Sequence, residues 1–198
     1  MTTVRTFAAL VLAAGSGSRF GGGKLLAPYE GAPLLHAALA AARAAPVASL
    51  TVVTGADAAE VGAAVRAFDP AIRLVHAPDH AEGMSASLRA GVASLDDEVE
   101  AAFVFLGDMP RVPHGVLQPL RRAVEQGAAA AAPVFEGRRG NPVVLSRSLF
   151  RDVAALSGDV GARPILQGLG PRLALVEAPH DGVLFDVDEP GDLPGLRR

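Results

Sequence analysis

The sequence has 198 residues, no cysteine and a formal net charge of −3, and half of it is apolar. Such a length suits one α/β domain that buries roughly 70% of the surface of its unfolded chain. The absence of cysteine excludes a disulfide framework, a thiolate zinc site, an iron–sulfur cluster and a cysteine nucleophile. There is no basic excess to bind nucleic acid, and no apolar run approaches the ~18 residues of a membrane span. We expect a soluble, cytoplasmic protein with no nucleic-acid or membrane partner.

Apolar runs of strand length alternate with stretches of helical period. The predicted strands are Phe7–Ala14, Leu50–Thr54, Ile72–His76, Ala102–Leu106 and Ala129–Val134. The predicted helices are Leu34–Ala45, Ala58–Phe68, Ser85–Leu95 and Val116–Gln126. This alternation predicts an α/β fold of three layers, α/β/α, around a mostly parallel, Rossmann-like sheet.

The last third of the chain is less regular than the rest. Its apolar pieces are short: Val143–Leu145, Leu149–Leu156, Leu173–Val176 and Val183–Phe185. We expect one domain over residues 1–198, in which residues 136–198 shape the substrate side. Ligands of parallel sheets bind beyond the carboxyl ends of the strands, so the loops that follow each strand are the candidate binding segments.

The first of these loops is rich in glycine and carries the only lysine of the chain, Lys24. Five glycines fall within residues 15–23, and Arg19 lies among them. Glycines let the backbone approach an anion, and the two cations can bind a triphosphate. The loop matches neither a Walker A motif nor the dinucleotide fingerprint. A flexible loop whose glycines serve only turn geometry is the alternative interpretation.

Carboxylates follow the fourth predicted strand and recur near the C-terminus. Asp108 follows Ala102–Leu106 with only Gly107 between them, and Asp186 and Asp188 stand two residues apart, on one side of the segment if it is extended. Carboxylates combined with substrate phosphates are the ligands that Mg²⁺ prefers. The alternatives are a turn or cap role for Asp108, and an N-cap role for Asp188 or Glu189 ahead of Pro190.

The remaining polar loops are less specific. Ser85 and Ser87 can cap the helix that they open. His76 and His80 are four residues apart, but Pro78 between them forbids the helical pairing of a zinc site, so we interpret both as loop histidines. The glycine-bearing loops 137–142 and 157–163 can bind an anionic acceptor or can simply be solvated.

Several of these segments resemble one family, the MobA-like nucleotidyltransferases. Residues 12–24, Leu-Ala-Ala-Gly-Ser-Gly-Ser-Arg-Phe-Gly-Gly-Gly-Lys, resemble its L-A-A-G-x-S/G-x-R-M-G-x-x-K motif. The segments Gly-Asp-Met-Pro (107–110), Gly-Met-Ser-Ala-Ser-Leu (83–88) and Asp-Val-Asp-Glu-Pro-Gly-Asp-Leu (186–193) resemble its later motifs. Phe20 departs from the usual Met, which changes packing rather than chemistry. The resemblance implies the sheet of nucleotide-diphospho-sugar transferases, with a nucleotide-binding half over 1–135 and an acceptor-side, metal-completing part over 136–198.

The resemblance also assigns roles to residues. It makes Lys24, Arg19 and Asp108 catalytic, and Asp108 and Asp188 the ligands of Mg²⁺. The residues implied to bind nucleotide are Leu12, Ala13, Ala14, Gly15, Gly17, Ser18, Arg19, Lys24, Gly83, Met84, Ser85, Ser87 and Asp108. The residues implied to bind the acceptor are Arg139, Gly140, Asn141, Pro142, Asp159, Arg163 and Asp186.

The motif variants favour the cytidylyltransferase branch of the family, which acts on the molybdenum cofactor. The implied reaction transfers CMP from CTP to molybdopterin or its molybdenum form, and the implied partner is a molybdenum hydroxylase or its chaperone. A methyl group at Ala14 narrows the base pocket and favours a pyrimidine. The alternatives are another phosphorylated acceptor, such as a sugar or polyol phosphate, the use of GTP, and an NAD(P)H-dependent reduction of a pigment.

Overall fold

An eight-stranded mixed sheet is the centre of the structure, a computed structural model that describes residues 6–193 apart from the side chain of Ser18. The strands are β1 (Thr6–Ala13), β2 (Pro28–Tyr29), β3 (Ala32–Pro33), β4 (Ser49–Thr54), β5 (Arg73–His76), β6 (Val99–Leu106), β7 (Ala130–Phe135), β8 (Arg138–Arg139), β9 (Val143–Ser146) and β10 (Leu173–Glu177). The sheet order is β10-β7-β9-β6-β1-β4-β5, with β8 paired to β7, and β2 and β3 form a separate hairpin. Only β8 and β9 run antiparallel to their neighbours in the sheet. The predicted mostly parallel sheet is confirmed.

Helices cover both faces of the sheet. They are α1 (Leu34–Ala44), α2 (Ala58–Phe68), α3 (Met84–Ala93), α4 (Leu117–Glu125), α5 (Phe150–Ala154) and α6 (Arg163–Gly168). Strand β1 is buried along almost its whole length, as expected of a central strand covered on both faces. Its residues Val11 and Ala13 pack in one core cluster with side chains of α1, α2 and α4, and Leu12 packs in a second cluster with side chains of α3, α5 and α6. Alternate side chains of β1 thus enter opposite layers, which confirms the predicted α/β/α arrangement.

The predicted elements lie close to the observed ones, but the irregular last third enters the sheet more deeply than its pattern indicates. Strand β9, which contains the predicted piece Val143–Leu145, lies between β6 and β7 and pairs antiparallel with both. Helix α6 and the hairpin of β2 and β3 were not predicted. Their segments are short, so periodicity gives no signal for them.

The sheet brings three loops to one edge. The segments after β1, β5 and β6 all begin at the carboxyl ends of parallel strands. Backbone hydrogen bonds connect neighbouring strands at this edge. Gly107 N–H, after β6, donates to the carbonyl of Leu12 in β1, and Ala77 N–H, after β5, donates to the carbonyl of Thr54 in β4, both at 2.9 Å. Within residues 6–193, no helix is both long enough and apolar enough to cross a membrane.

Candidate active site

A cleft of about 600 Å³ lies at this edge of the sheet. Its volume falls in the range of small-molecule sites. Most of the residues predicted to bind nucleotide line it: Leu12, Ala14, Gly15, Gly17, Arg19, Lys24, Gly83, Met84, Ser87 and Asp108. Of the remaining three, Ala13 is buried in the core, Ser85 is fully buried beside the cleft, and the side chain of Ser18 lies outside the described residues.

The glycine-rich loop after β1 folds back on itself so that Lys24 points into the cleft. The N–H groups of Phe20 and Gly22 donate to the carbonyl of Gly17 at 2.9 and 3.1 Å. Gly17 has a φ of 58°, and a Cβ there would lie 3.0 Å from the Cβ of Lys24, so the turn requires glycine. Among the described residues, the N–H groups of residues 15–17 donate no backbone hydrogen bond. Those groups are therefore available to an anion that enters the cleft.

Two cations and two carboxylates meet at the floor of the cleft. Lys24 Nζ lies 2.6 Å from Oδ2 of Asp108 and 3.6 Å from Oδ1 of Asp188. Arg19 Nη1 lies 3.3 Å from Oδ2 of Asp188. The side chain of Lys24 is 13% exposed, whereas that of Arg19 is 79% exposed. Because exposed ion pairs are weak, Arg19 can exchange its carboxylate partner for a phosphate at little cost.

The chain near the C-terminus is arranged so that Asp188 faces the lysine instead of capping a helix. Asp192 Oδ2 accepts hydrogen bonds from the N–H groups of Asp188 and Glu189, each at 2.9 Å. These hydrogen bonds hold the pKa of Asp192 below its ordinary value. Val187 N–H donates to the carbonyl of Asp108 at 3.0 Å, which fixes the two carboxylate-bearing segments side by side. The short helix Pro190–Asp192 is capped by Glu189 and Asp192. The carboxylate of Asp188 is therefore not used as a cap, and Asp188 lines the cleft.

Asp186 differs from Asp188 in its position. It lines neither the cleft nor the smaller cavity that adjoins the cleft. Partial burial raises its pKa, and the nearby carboxylates of Asp188 and Asp108 raise it further. The structure therefore brings Asp188, rather than Asp186, to Lys24.

The donor set at the floor of the cleft fits a divalent cation. The carboxylates of Asp108 and Asp188 converge on one cationic group, the Lys24 ammonium, and hard cations prefer such oxygen ligands. Within residues 6–193, no group of three or more His, Cys, Asp or Glu side chains is placed to hold a metal by itself. A metal held here needs further oxygen ligands, which substrate phosphates can supply.

Another part of the cleft wall is formed by residues 80–84 and Ser87. Helix α3 begins at Met84, and its first N–H is capped by Oδ1 of Asp159 at 2.9 Å. The prediction that Ser85 or Ser87 caps this helix is wrong, because Ser85 Oγ donates instead to the carbonyl of Ser157 at 3.3 Å. The cap comes from a distant part of the chain, so the local sequence could not indicate it.

A second cavity of about 190 Å³ adjoins the cleft. The two share Leu12, Met84, Leu106 and Asp159 as lining residues. Most of the predicted acceptor residues line this cavity: Arg139, Gly140, Asn141, Asp159 and Arg163. Pro142, which follows a cis peptide bond, is buried outside it, as Asp186 also lies outside. The structure thus gathers residues from two separate loops around one cavity next to the nucleotide cleft.

Several residues that line the cleft were not predicted from the sequence: Ser16, His80, Ala81, Glu82 and Leu106. His80 was interpreted as a loop histidine without a binding role, whereas it lines the cleft. Its place in the loop that follows β5, a strand that ends at the ligand edge, was the signal that could have identified it.

Comparison with known proteins places this architecture in a family. The model of the MobA-like NTP transferase domain matches residues 9–176. The chain belongs to that family. It is therefore a nucleotidyltransferase, and the resemblance carried by its motifs is confirmed.

Individual relatives agree with this assignment. The chain is 26% identical over 183 residues to the molybdenum cofactor cytidylyltransferase of Escherichia coli (strain K12), covering 92% of this chain and 91% of that protein. It is 35% identical over 159 residues to the bifunctional protein GlmU of Dinoroseobacter shibae, covering 75% of this chain and 34% of that relative. The chain thus spans about a third of the length of that GlmU.

A solved structure has the same fold over nearly the whole chain. Rv0371c of Mycobacterium tuberculosis H37Rv superimposes with a TM-score of 0.82 and 28% identity, covering 96% of each chain. A second structure of that protein, a complex with manganese, has a TM-score of 0.72 and 26% identity and covers 87% of this chain and 88% of that one. Manganese therefore binds to a relative of this fold.

Proposed function

We propose that the protein transfers CMP from CTP to molybdopterin or its molybdenum form, releases pyrophosphate and produces the cytosine dinucleotide form of the cofactor. The observation that carries the proposal is the pair of adjoining cavities. One is lined by a glycine loop with Lys24 and Arg19, and the other by Arg139 and Arg163. The first suits a nucleoside triphosphate and the second an anionic acceptor.

In the proposed reaction an oxygen of the acceptor phosphate attacks the α-phosphorus of CTP in line. A bond forms between them, the bond to the bridging oxygen of the β-phosphate breaks, and pyrophosphate leaves. No side-chain nucleophile is needed, so the protein contributes positioning and charge neutralisation. Lys24 and Arg19 would leave their carboxylates and bind phosphate oxygens, where they offset the charge that grows on pyrophosphate.

Asp108 and Asp188 would hold Mg²⁺ together with phosphate oxygens of CTP. The chemistry that the ion supplies when bound is the neutralisation of phosphate charge. Before CTP binds, the Lys24 ammonium lies 2.6 and 3.6 Å from the same two carboxylates, and the Arg19 guanidinium lies 3.3 Å from Asp188, so two positive charges face two negative ones. The cluster thus stays balanced in charge in the free protein.

The choice of CTP over GTP rests on the wall of the cleft. Ala14 is 3% exposed and lines the cleft immediately after the end of β1. Its methyl group limits the room for a base, which favours the smaller pyrimidine. We propose that the product then passes to a molybdenum hydroxylase or its chaperone.

A pyrophosphate-release assay tests the proposal. Purified protein is incubated with CTP, GTP or UTP, with molybdopterin or its molybdenum form, and with Mg²⁺, Mn²⁺ or EDTA. We expect release that needs both the acceptor and a divalent metal, with kcat/KM for CTP on the order of 10-fold above that for GTP. Release with a sugar or polyol phosphate alone would replace the acceptor, and equal use of CTP and GTP would overturn the argument from Ala14. Oxidation of NAD(P)H without pyrophosphate release would contradict the proposed reaction as a whole.

A further inference from the structure

Residues 156–161, here named the docked segment, lie against the start of helix α3. The carbonyls of Ser157 and Gly158 accept hydrogen bonds from Oγ and N–H of Ser85, at 3.3 and 3.2 Å. Asp159 adds the cap on the N–H of Met84 at 2.9 Å. The docked segment contributes Asp159 to both cavities and residues 160–161 to the second one.

Arg89 joins the docked segment to the wall of the cleft. Its Nη1 donates to the carbonyl of Leu156 at 2.6 Å, and its Nη2 donates to Oε2 of Glu82 at 2.9 Å. Glu82 lines the nucleotide cleft, whereas Arg89 lines neither that cleft nor the second cavity. One guanidinium behind the wall therefore connects a residue of the nucleotide side with the first residue of the docked segment.

We propose that Arg89 is a positioning residue. It fixes Glu82, in the wall of the nucleotide cleft, relative to the docked segment, which lines the second cavity. The inference rests on the membership in the nucleotidyltransferase family, and on the proposed function only for the identity of the two substrates. Removal of the Arg89 guanidinium takes a hydrogen-bond donor from both Glu82 and the carbonyl of Leu156, so the two are no longer held relative to each other. Because the docked segment borders both cavities, the binding of nucleotide and the alignment of the acceptor both suffer.

The geometry explains why the residue is arginine. A guanidinium presents donors in a planar fork and can serve a carbonyl and a carboxylate in different directions at once, whereas an ammonium acts as a point charge. Hydrogen bonds from a charged donor are among the stronger ones in proteins. A lysine at position 89 is therefore expected to restore only part of the function.

The chain offers a matched control in Arg147. Arg147 borders the same groove of about 370 Å³ behind α3 as Arg89 does. It makes the same kinds of bond, donating to the carbonyl of Val99 at 2.9 Å and to Oδ1 of Asp97 at 3.1 Å. Neither of these partners lines the cleft or the second cavity. Arg147 thus reproduces the stabilising contacts of Arg89 without any contact with a wall of the active site.

The experiment compares Arg89→Met, Arg89→Lys and Arg147→Met with the wild type in thermal stability and in steady-state kinetics with CTP, molybdopterin and Mg²⁺. We expect similar losses of Tm in the two Met variants. We expect Arg89→Met alone to lower kcat/KM by on the order of 10²-fold, with KM raised for both substrates, since small displacements of positioned groups have effects of this size. Arg89→Lys should recover part of the loss.

A second measurement keeps the inference separate from the identity of the substrates. The N–H groups of Met84 and Ser85 donate to the docked segment, so their hydrogen–deuterium exchange reports its attachment. We expect faster exchange at both amides in Arg89→Met and unchanged exchange in Arg147→Met. If the wild type does not act on CTP and molybdopterin, the proposed function fails while the exchange rates still decide the role of Arg89. Wild-type exchange in Arg89→Met, or equal kinetic losses in both Met variants, would overturn the inference.

Discussion

Lys24 is the only lysine of the chain, and it lines the cleft. Its ammonium contacts Asp108 at 2.6 Å, and its side chain is only 13% exposed. Partly buried charges are screened less by water than exposed ones. The contribution of Lys24 to charge neutralisation should therefore exceed that of the exposed Arg19.

We expect Lys24→Met to lower kcat on the order of 10²-fold or more, which is the usual effect of removing one donor to a developing negative charge. Arg19→Met should lower it less. Pyrophosphate release at saturating nucleotide measures both. Near-wild-type turnover in Lys24→Met would mean that the lysine serves only to balance the carboxylates.

The two carboxylates allow a separate test of the metal site. Asp108→Asn keeps size and hydrogen bonding but removes a charge, so a metal ligand should be affected and a turn residue should not. We expect turnover to collapse in Asp108→Asn and to fall less in Asp188→Asn, with a higher Mg²⁺ concentration needed for half-maximal activity in both. Titration of activity with Mg²⁺ measures this.

Asp186→Asn is the matched control for these variants, since Asp186 lies in the same segment but outside the cleft. It should have the mildest effect. A larger loss in Asp186→Asn than in Asp188→Asn would reverse the assignment of the second ligand.

The sequence predicted which residue types form the site better than it predicted which side chains face the cleft. The spacing of Asp186 and Asp188 places both on one side of an extended segment, so the pattern leaves both candidates open. Only the cap by Asp192 and the contact with Lys24 separate them. His80 was interpreted as a loop histidine, because Pro78 excludes a helical zinc pair with His76 and the local sequence does not indicate which residues of the loop line the cleft. Ala13 was grouped with Ala14 as a nucleotide residue, although the alternation along β1 turns its side chain into the core.

Among the elements, the strands were predicted well because a central parallel strand is apolar on both faces. Strand β9 was not placed, because its four residues have the same pattern in either orientation and at any position in the sheet. The docking of residues 156–161 on α3 was also beyond the sequence. It depends on hydrogen bonds between segments that are about 70 residues apart, such as Met84 N–H to Asp159 with a separation of 75.

The join between α3 and the docked segment depends on Gly83. Gly83 has a φ of 110°, and a Cβ there would lie 2.7 Å from the Cα of Asp159. We expect Gly83→Ala to destabilise the fold by about 1–3 kcal/mol, the usual cost of a side chain in a disfavoured backbone region. It should also weaken nucleotide binding, because Gly83 lines the cleft.

Gly115→Ala is the control for this substitution, since nothing lies within 4 Å of the Cβ that it would add and its φ is not positive. Thermal unfolding and titration with CTP measure both effects. An unchanged Tm and an unchanged affinity for CTP in Gly83→Ala would show that neither depends on the close packing of Gly83 against Asp159.

The regular part of the chain, residues 1–135, and the irregular part, residues 136–198, contribute strands to the same sheet. Residues 1–135 hold the glycine loop and Asp108, which makes them look like a complete nucleotide-binding unit in the sequence. The sheet contradicts that appearance, because β9 from the second part lies between β6 and β7 of the first. Asp188 and Asp159, which line the cleft, also come from the second part.

We expect a fragment of residues 1–135 not to fold. Without β9, the facing edges of β6 and β7 lose their hydrogen-bond partner, and the core loses buried side chains such as Val144, Leu145 and Val153. Each buried aliphatic side chain contributes about 1.5–3 kcal/mol, so the loss of a few is comparable to the ~5–15 kcal/mol that stabilises a typical domain. Circular dichroism during heating and titration with CTP test the fragment against the full chain, and co-expression with residues 136–198 should restore both signals. A cooperative transition together with CTP binding in the fragment alone would show that the second part is an addition to an independent nucleotide-binding domain.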